Sequence, residues 1–214
     1  MIRTEGLTKY YGSFPALVDL DIAIEQGEIF GYIGPNGAGK TTTIRILTGL
    51  MKPSKGHAYI KDFDVTKNPG RTKSIVGYMP DHFGVYEEMR VWEYLDFFGA
   101  AFKIRKRKRR ERIDYVLDVT NATYMKELFV DALSHGMKQR VGIARTLIHD
   151  PEVLFLDEPT NGLDPRARIE MRQLLQSLAG MGKTILVSSH ILPELASVCD
   201  KVGIPDRAHL LEMG

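Results

Sequence analysis

Residues 34–41 constrain the fold of this chain more than any other segment. They read GPNGAGKT and match the pattern G-x-x-x-x-G-K-[ST] at every fixed position. The apolar run Ile29–Ile33 precedes them, and residues 41–47, which have helical character, follow. A strand, a glycine-rich turn and a helix in this order direct backbone N–H groups and a helix N-terminus toward one anion. The segment therefore predicts a phosphate-binding loop in an α/β fold.

Two side chains at the end of this loop suit a nucleoside triphosphate bound with magnesium. We expect the Lys40 ammonium to reach the β- and γ-phosphates and the Thr41 hydroxyl to ligate Mg²⁺. One alternative is a glycine-rich turn with a chance lysine, and the complete match between a strand and a helix argues against it. A dinucleotide-binding turn is a second alternative, but it does not require the Lys-Thr pair.

Two acidic residues follow a second apolar run. Residues 153–156 are Val-Leu-Phe-Leu, as expected of a parallel strand covered on both faces, and Asp157 and Glu158 come next. Adjacent carboxylates can divide two roles, because one can hold the metal while the other orients and deprotonates a water. An Asp-Glu pair after a strand is otherwise an ordinary polar turn. Behind a complete phosphate loop, we predict that Asp157 binds Mg²⁺ and that Glu158 activates water.

A histidine follows the apolar strand candidate at residues 184–187. Open α/β sheets bind their ligands at the carboxyl ends of the strands. His190 is therefore predicted to donate a hydrogen bond to the γ-phosphate. The alternative is a structural histidine or a helix cap.

Strand-like and helix-like segments alternate along most of the chain, which predicts a mainly parallel α/β sheet. One helix is predicted to end at Asp150, and another, with apolar residues spaced along 171–178, is predicted to end near Gly180. A turn is predicted at residues 53–56. Residues 83–130 carry the only tryptophan, clustered aromatic residues and a basic run, and we interpret them as a mostly helical insert.

The basic run, residues 103–112, holds eight of the 29 Lys and Arg residues and one acidic residue. One basic patch on a mildly acidic body can bind nucleic acid or acidic lipid headgroups. The alternative is a solvated, highly charged helix start. No aromatic residue lies within the run, which argues against stacking on single-stranded nucleic acid.

Composition indicates a cytoplasmic location. No apolar run approaches the roughly 18–20 residues of a membrane span, and the first residues lack the apolar core of a signal peptide. The single cysteine, Cys199, has no partner for an internal disulfide, and its apolar surroundings predict a small buried hydrophobic residue.

The order of these motifs resembles the nucleotide-binding subunit of an ATP-binding-cassette (ABC) transporter, and the resemblance extends over residues 7–211. It implies that His190 senses the γ-phosphate, that Asp164 lies in a loop crossing a dimer interface, and that Tyr11 stacks on adenine. Tyr10 is chemically able to take the place of Tyr11. The resemblance implies that the following residues bind ATP: Gly34, Pro35, Asn36, Gly37, Ala38, Gly39, Lys40, Thr41 and Thr42.

Residues 133–137, Leu-Ser-His-Gly-Met, align with the signature sequence LSGGQ of that family. The resemblance implies that the signature of one subunit closes over the ATP of another, so that Ser134, His135, Gly136 and Met137 face the partner's nucleotide. Ser-x-Gly before a helix is otherwise an N-cap. His135 and Met137 depart from the family pattern, and we expect an altered rate or affinity. Asp81 replaces the usual glutamine and is predicted to approach Mg²⁺.

The resemblance implies a P-loop NTPase (RecA-like) core with a mainly parallel sheet, a small N-terminal antiparallel β part and a helical insert. One domain is expected over residues 1–214, in which 1–82 and 150–214 form the ATP-binding core and 83–149 form the helical subdomain with the signature. Many family members continue beyond the position of Gly214, so we expect further sequence after it.

The implied function is an ATPase whose two copies, in a homodimer, bind two MgATP and drive a polytopic transmembrane permease from the inner face of the membrane. The insert is expected to contact the permease, and the sequence resembles the subgroup with separate, mostly export-type membrane subunits. The alternatives are a soluble cassette ATPase acting on nucleic acid or ribosomes, and a small-molecule kinase. We do not expect nucleic acid as a partner.

Overall fold

A computed structural model describes all residues of the chain except 83, 85–87, 196, 207, 208 and 214. The strands are β1 Ile2–Tyr11, β2 Phe14–Leu20, β3 Ala23–Ile24, β4 Ile29–Ile33, β5 Lys55–Ile60, β6 Phe63–Asp64, β7 Val76–Met79, β8 Val153–Asp157, β9 Thr184–Ser189, β10 Lys201–Asp206 and β11 His209–Met213. The helices are α1 Lys40–Leu47, α2 Pro69–Ile75, α3 Val91–Ala101, α4 Lys106–Val119, α5 His135–Leu147, α6 Pro165–Gly180 and α7 Leu192–Leu195, with a 3₁₀ turn at Thr123–Met125.

The strands form two sheets. The larger sheet has the order β11-β10-β4-β9-β8-β7, in which β10, β4, β9, β8 and β7 are parallel and β11 is antiparallel to β10. The smaller sheet is antiparallel, with the order β2-β1-β5-β6 and β3 beside β1. This architecture confirms the predicted fold class.

Both faces of the parallel sheet are covered, which explains the wholly apolar sequence of β8. Successive side chains of a strand point to opposite faces. Leu154 and Leu156 pack with buried residues of α3, α4, α5 and α6, whereas Val153 and Phe155 pack with the antiparallel sheet and α1. The helices between residues 91 and 147 therefore share a core with the sheet, and the division of the chain at residues 83 and 149 stays a prediction.

The predicted turn at residues 53–56 is wrong at its last two residues, because β5 begins at Lys55 and includes Gly56. Gly56 has φ 76°, and a Cβ there would lie 2.2 Å from the Gly6 carbonyl oxygen of β1. The glycine therefore permits close approach of two strands, and its turn-like composition reflects this local distortion of the ladder.

The basic run contains both internal contacts and exposed charge. Arg109 donates two hydrogen bonds to the Asp96 carboxylate, at 2.7 and 3.0 Å, and Arg112 donates to the Leu147 carbonyl at 2.8 Å. These arginines fasten α4 to α3 and to the end of α5. The basic side chains at 103, 105, 106, 107, 108 and 110 are exposed.

Cys199 is half-buried rather than fully buried, and it packs beside the core. Burial raises the pKa of its thiol to about 12. A Cβ on Gly31 of β4 would lie 2.7 Å from its sulfur, so the strand passes directly over this side chain. Among the helices that the structure describes, each is too short or too polar to cross a membrane.

Candidate functional site

Three neighbouring parallel strands carry the predicted site at their carboxyl ends. The phosphate loop follows β4, Asp157 ends β8 and precedes Glu158, and His190 follows β9, which lies between the other two strands. This order brings together residues that are far apart in the sequence, as expected for an open parallel sheet.

The phosphate loop turns directly into α1. Gly39 caps this helix with φ 97°, and a Cβ there would lie 2.6 Å from the Ala16 carbonyl oxygen of β2. The second fixed glycine of the motif is therefore required by backbone conformation and by packing against the small sheet. The Lys40 ammonium is buried within the loop, where it donates to the carbonyl oxygens of Gly34 at 2.6 Å and Pro35 at 3.2 Å.

A cavity of about 280 Å³ lies over this loop. The cavity lies between the β1–β2 hairpin, the phosphate loop and two carboxylates. Tyr11 lines the cavity, whereas Tyr10 does not. Gly34, Pro35 and Ala38 lie outside its lining, although the first two contact the Lys40 ammonium. Its lining consists of Tyr11, Phe14, Ala16, Asn36, Gly37, Gly39, Lys40, Thr41, Thr42, Asp81 and Glu158.

The buried end of β8 depends on one hydroxyl of the neighbouring strand. Ser188 donates to Asp157 Oδ1 at 2.6 Å and accepts from the Glu158 backbone N–H at 3.0 Å. Burial raises the pKa of the Asp157 carboxyl, while hydrogen bonds from Ser188 and Thr41 oppose this shift. Thr41, at the start of α1, therefore lies near Asp157.

Glu158 links the loop lysine to the histidine after β9. Its Oε2 accepts from the His190 backbone N–H at 3.3 Å and lies 2.9 Å from His190 Nδ1, while its Oε1 lies 3.4 Å from Lys40 Nζ. Because a carboxylate only accepts, Nδ1 carries the hydrogen in this pair. The Oε1 atom is buried and has no hydrogen-bond partner, since the lysine contact is an ion pair without hydrogen-bond geometry.

The side chains around the loop also fit a hard divalent cation. Thr41, Asp81 and Asp157 supply hydroxyl and carboxylate oxygens, which Mg²⁺ prefers as ligands. Glu158 lies 3.4 Å from the Lys40 ammonium, and the charges of Glu158 and Asp81 each raise the pKa of Asp157, so three carboxylates lie near one another. A bound cation would offset this excess of negative charge. Asp81 additionally accepts from the Asn161 amide at 3.3 Å.

The four predicted signature residues lie together at the start of α5, away from the lining of this cavity. Ser134 is exposed and caps the helix by accepting from the Met137 N–H at 3.4 Å. His135 Nε2 lies 2.8 Å from the Asn161 carbonyl oxygen, and Gly136 faces Leu163. The signature therefore contacts the predicted interface loop of its own chain. Asp164 of that loop accepts from the Ala167 N–H at 2.9 Å and so caps α6.

The motifs gave no role to Ser188 or Phe14, and they placed Asn161 only in the loop of residues 161–164 that resembles a dimer-interface loop. Ser188 is paired with Asp157 in the β8–β9 register, and Phe14 is paired with Tyr11 in the β1–β2 register. Asn161 connects Asp81 with His135. The Tyr-Gly-Ser-Phe sequence at 11–14, with its turn residues between two aromatics, is a signal that could have identified Phe14.

Comparison with known proteins adds independent findings. The family model described as "ABC transporter" matches residues 17–161, and a model described as "AAA domain, putative AbiEii toxin, Type IV TA system" matches residues 126–197. An uncharacterised ABC transporter ATP-binding protein of Synechocystis sp. is 42% identical over 201 residues, which cover 93% of this chain and 56% of that protein. The chain thus spans little more than half of this relative.

Two further similarities cover the chain almost completely. The bacitracin transport ATP-binding protein BcrA of Bacillus licheniformis is 44% identical over 213 residues, covering 99% of this chain and 69% of that protein. The solved dimeric structure of MJ0796, a bacterial ABC transporter cassette, superimposes with a TM-score of 0.89 at 27% identity, covering 100% of this chain and 98% of that chain.

Proposed function

Because the chain belongs to the ABC transporter family, we propose that it is the ATP-binding and ATP-hydrolysing part of a transporter. One observation carries the chemical part of this proposal. The buried Glu158 carboxylate lies between Lys40 and His190. Glu158 also lines the cavity over the phosphate loop, and its Oε1 atom has no hydrogen bond.

We assign ATP to this cavity. Tyr11 stacks on the adenine, and the loop N–H groups with the Lys40 ammonium hold the phosphates. Thr41, Asp157 and Asp81 would hold Mg²⁺, which would supply positive charge to offset the charge of the phosphates. In these roles the chain supplies fixed dipoles and charges, and the surrounding structure has already oriented them.

Hydrolysis requires a base for the attacking water. The water oxygen forms a bond to the γ-phosphorus, the bond to the β–γ bridging oxygen breaks, and the water proton passes to Glu158 Oε1. The two bonds from His190 to Oε2 fix the orientation of this carboxylate. Since Nδ1–H is engaged by Glu158, a hydrogen bond from His190 Nε2 to the γ-phosphate requires the imidazolium form.

The site needs a second copy of the chain. The signature residues start α5 outside the cavity of their own chain, so a head-to-tail pair brings each signature to the partner's ATP. The dimeric cassette of similar structure supports a homodimer. We propose that ATP closes this dimer and that hydrolysis opens it, with Asp164 in the loop between the two sites.

We further propose that the dimer drives a separate polytopic permease at the inner face of the membrane. An apolar groove of about 480 Å³ runs between the insert and the sheet, and we assign it to the permease; its lining includes Leu50, Tyr78, Phe98, Phe102 and His149. The Bacillus licheniformis relative is named as a bacitracin transport ATP-binding protein, which supports a role in transport.

The test is Glu158→Gln, with Glu152→Gln as the matched control at an exposed ion pair with Lys61 before β8. We expect the first variant to bind MgATP, to lose roughly 10²–10⁴-fold in turnover and to accumulate as a dimer. It lacks the base but retains the phosphate loop that binds the nucleotide. The control should behave as wild type. Unchanged turnover in Glu158→Gln would refute the assignment of the base.

The alternative is a cassette ATPase acting on nucleic acid or ribosomes. It is distinguished from the transporter by whether the exposed charges of α4 are needed to retain the bound partner. Tagged Glu158→Gln protein purified with MgATP in mild detergent should retain a polytopic membrane protein after nuclease treatment. Recovery of nuclease-sensitive material that disappears when Lys106, Lys108 and Arg110 are neutralised would support the alternative.

A further inference from the structure

Asn161, in the loop after β8, is held from three sides. Its backbone N–H donates to the Glu158 carbonyl at 3.1 Å, and its side-chain amide donates to Asp81 Oδ1 at 3.3 Å. Its own carbonyl oxygen lies 2.8 Å from His135 Nε2. One residue thus joins the end of the catalytic strand, a carboxylate of the nucleotide cavity and the first turn of the signature helix.

The contact with His135 is a hydrogen bond, and the imidazole also packs against the loop. A carbonyl oxygen only accepts, so Nε2 carries the hydrogen and donates. A Cβ on Gly162, which has φ 70°, would lie 3.2 Å from that nitrogen, so the imidazole covers the backbone of the loop. The next signature residue, Gly136, faces the buried Leu163, whose Cδ2 would lie 3.5 Å from an added Cβ. The first turn of α5 and residues 161–163 therefore form one packed unit.

On its other side, Asn161 depends on a charged group of the cavity. Asp81 lines the cavity together with Thr41 and Lys40. Its carboxylate makes the bond from the Asn161 amide charge-assisted, and hence stronger than a bond between neutral groups. A phosphate or cation in the cavity acts directly on this carboxylate by repulsion or attraction. Any displacement of Asp81 changes the bond that holds Asn161.

We propose that His135 and Asp81 are positioning residues that act as a pair on Asn161, and that they relay the state of the chain's own nucleotide cavity to Ser134. The connection runs from the cavity through Asp81, Asn161 and His135 to the N-terminus of α5. His135 and Asp81 are two of the positions at which the sequence departs from the family pattern, and both contact the same residue. The significance of Ser134 rests on the proposed function, in which this residue faces the partner's ATP.

The relay itself is tested in a dilute monomer by hydrogen exchange, with the magnesium complex of a non-hydrolysable ATP analogue as the probe. In the wild type, the analogue should change amide exchange in residues 34–42 and also in residues 134–138. His135→Gly and Asn161→Ala, which removes the amide donor to Asp81, should keep the first response and lose the second. A second response that persists in both variants would overturn the proposal.

Conservative variants exclude a general loss of structure. His135→Gln keeps an N–H donor for the Asn161 carbonyl, and Asn161→Gln keeps a side-chain amide donor for Asp81, so both should restore the response of residues 134–138 that the truncated variants lose. Lys138→Gln is the matched control on α5, because this lysine donates to the Asp131 carbonyl outside the relay. Failure of both conservative variants to restore the response would contradict the assigned bonds.

The pairing of the two residues is tested by a double-mutant cycle on ATP-driven dimerisation in the Glu158→Gln background. His135→Gly and Asn161→Ala should each weaken dimerisation about 3- to 10-fold, the range of one hydrogen bond. The double variant should be no weaker than the weaker single variant, whereas multiplied effects would refute the coupling. If the Glu158→Gln parent does not dimerise, the proposed function fails, while the exchange experiment still decides the relay.

Discussion

Ser188→Ala gives the most informative single perturbation, because one fully buried hydroxyl serves both carboxylate residues of the site. Ser188 donates to the Asp157 carboxylate and accepts from the Glu158 N–H. A hydrogen bond to a charged group contributes about 1.5–3 kcal/mol, and a buried N–H left without a partner costs about 1–3 kcal/mol. These terms share one side chain and are not additive, so we expect a loss of roughly 2–4 kcal/mol in unfolding free energy.

The charged part of this loss depends on pH in a definite direction. Burial already raises the pKa of Asp157 in the folded protein, and the Ser188 bond limits that rise. Removing the bond raises the folded pKa of Asp157 further. The stability lost because ionised Asp157 no longer accepts the Ser188 bond is therefore absent below the wild-type folded pKa of Asp157. This loss grows as pH rises from that pKa to the folded pKa of the variant, and it is constant at higher pH.

The assay is urea denaturation of Ser188→Ala and wild type at several values from about pH 4, near the ordinary pKa of an aspartate, to about pH 8. Thr184→Val is the matched control, because Thr184 is buried on the same strand and its hydroxyl accepts from the Gly27 N–H at 2.9 Å. The control should lose about 1 kcal/mol, independent of pH. Equal, pH-independent losses in the two variants would refute the role of the Ser188–Asp157 bond.

Three further predictions follow from other parts of the molecule. Burial raises the pKa of Asp64, but hydrogen bonds including two from Thr66 outweigh it and lower that pKa to about 2. Asp64→Asn should therefore cost about 2 kcal/mol near neutral pH, a loss that disappears in denaturation curves as pH falls from about 4 to 2. Tyr11→Ala should weaken ATP binding about tenfold in calorimetry, whereas Tyr10→Ala should leave it unchanged, because only the first lines the cavity. Gly56→Ala should lower the unfolding free energy by about 3 kcal/mol in denaturant titration, because its Cβ meets a β1 carbonyl oxygen at 2.2 Å.

The family and the fold class were both predictable from the sequence, and both are confirmed. The strands that carry the site are buried on both faces, so each contains a short run without charged or hydroxyl side chains, and polar residues follow that run. The phosphate loop is contiguous in the chain, and its glycines reflect local backbone requirements. Local sequence is therefore sufficient for these features. The roles of individual site residues remain predictions that the variants above will test.

Other features depend on pairings between distant segments, which a single sequence does not encode locally. Ser188 is 31 residues from Asp157, and its role follows from the register of two strands. Asn161 and Asp81 are separated by 80 residues. The turn assigned at Gly56 is wrong for the same reason, since a glycine is required there by the close approach of a carbonyl group of another strand. Composition alone does not distinguish these two uses of glycine.

The half-buried thiol beneath β4 has a practical consequence for labelling. Cys199 is the single cysteine of the sequence, and its pKa is about 12. Near neutral pH its thiolate fraction is on the order of a thousandfold lower than that of an exposed cysteine with a pKa of about 8.5, so thiol reagents react with it slowly. A cysteine introduced at an exposed place such as Tyr124, whose side chain is 68% exposed, can then take a spin label or a fluorophore selectively. Interprobe distances in an ATP-bound pair become measurable with Cys199 retained.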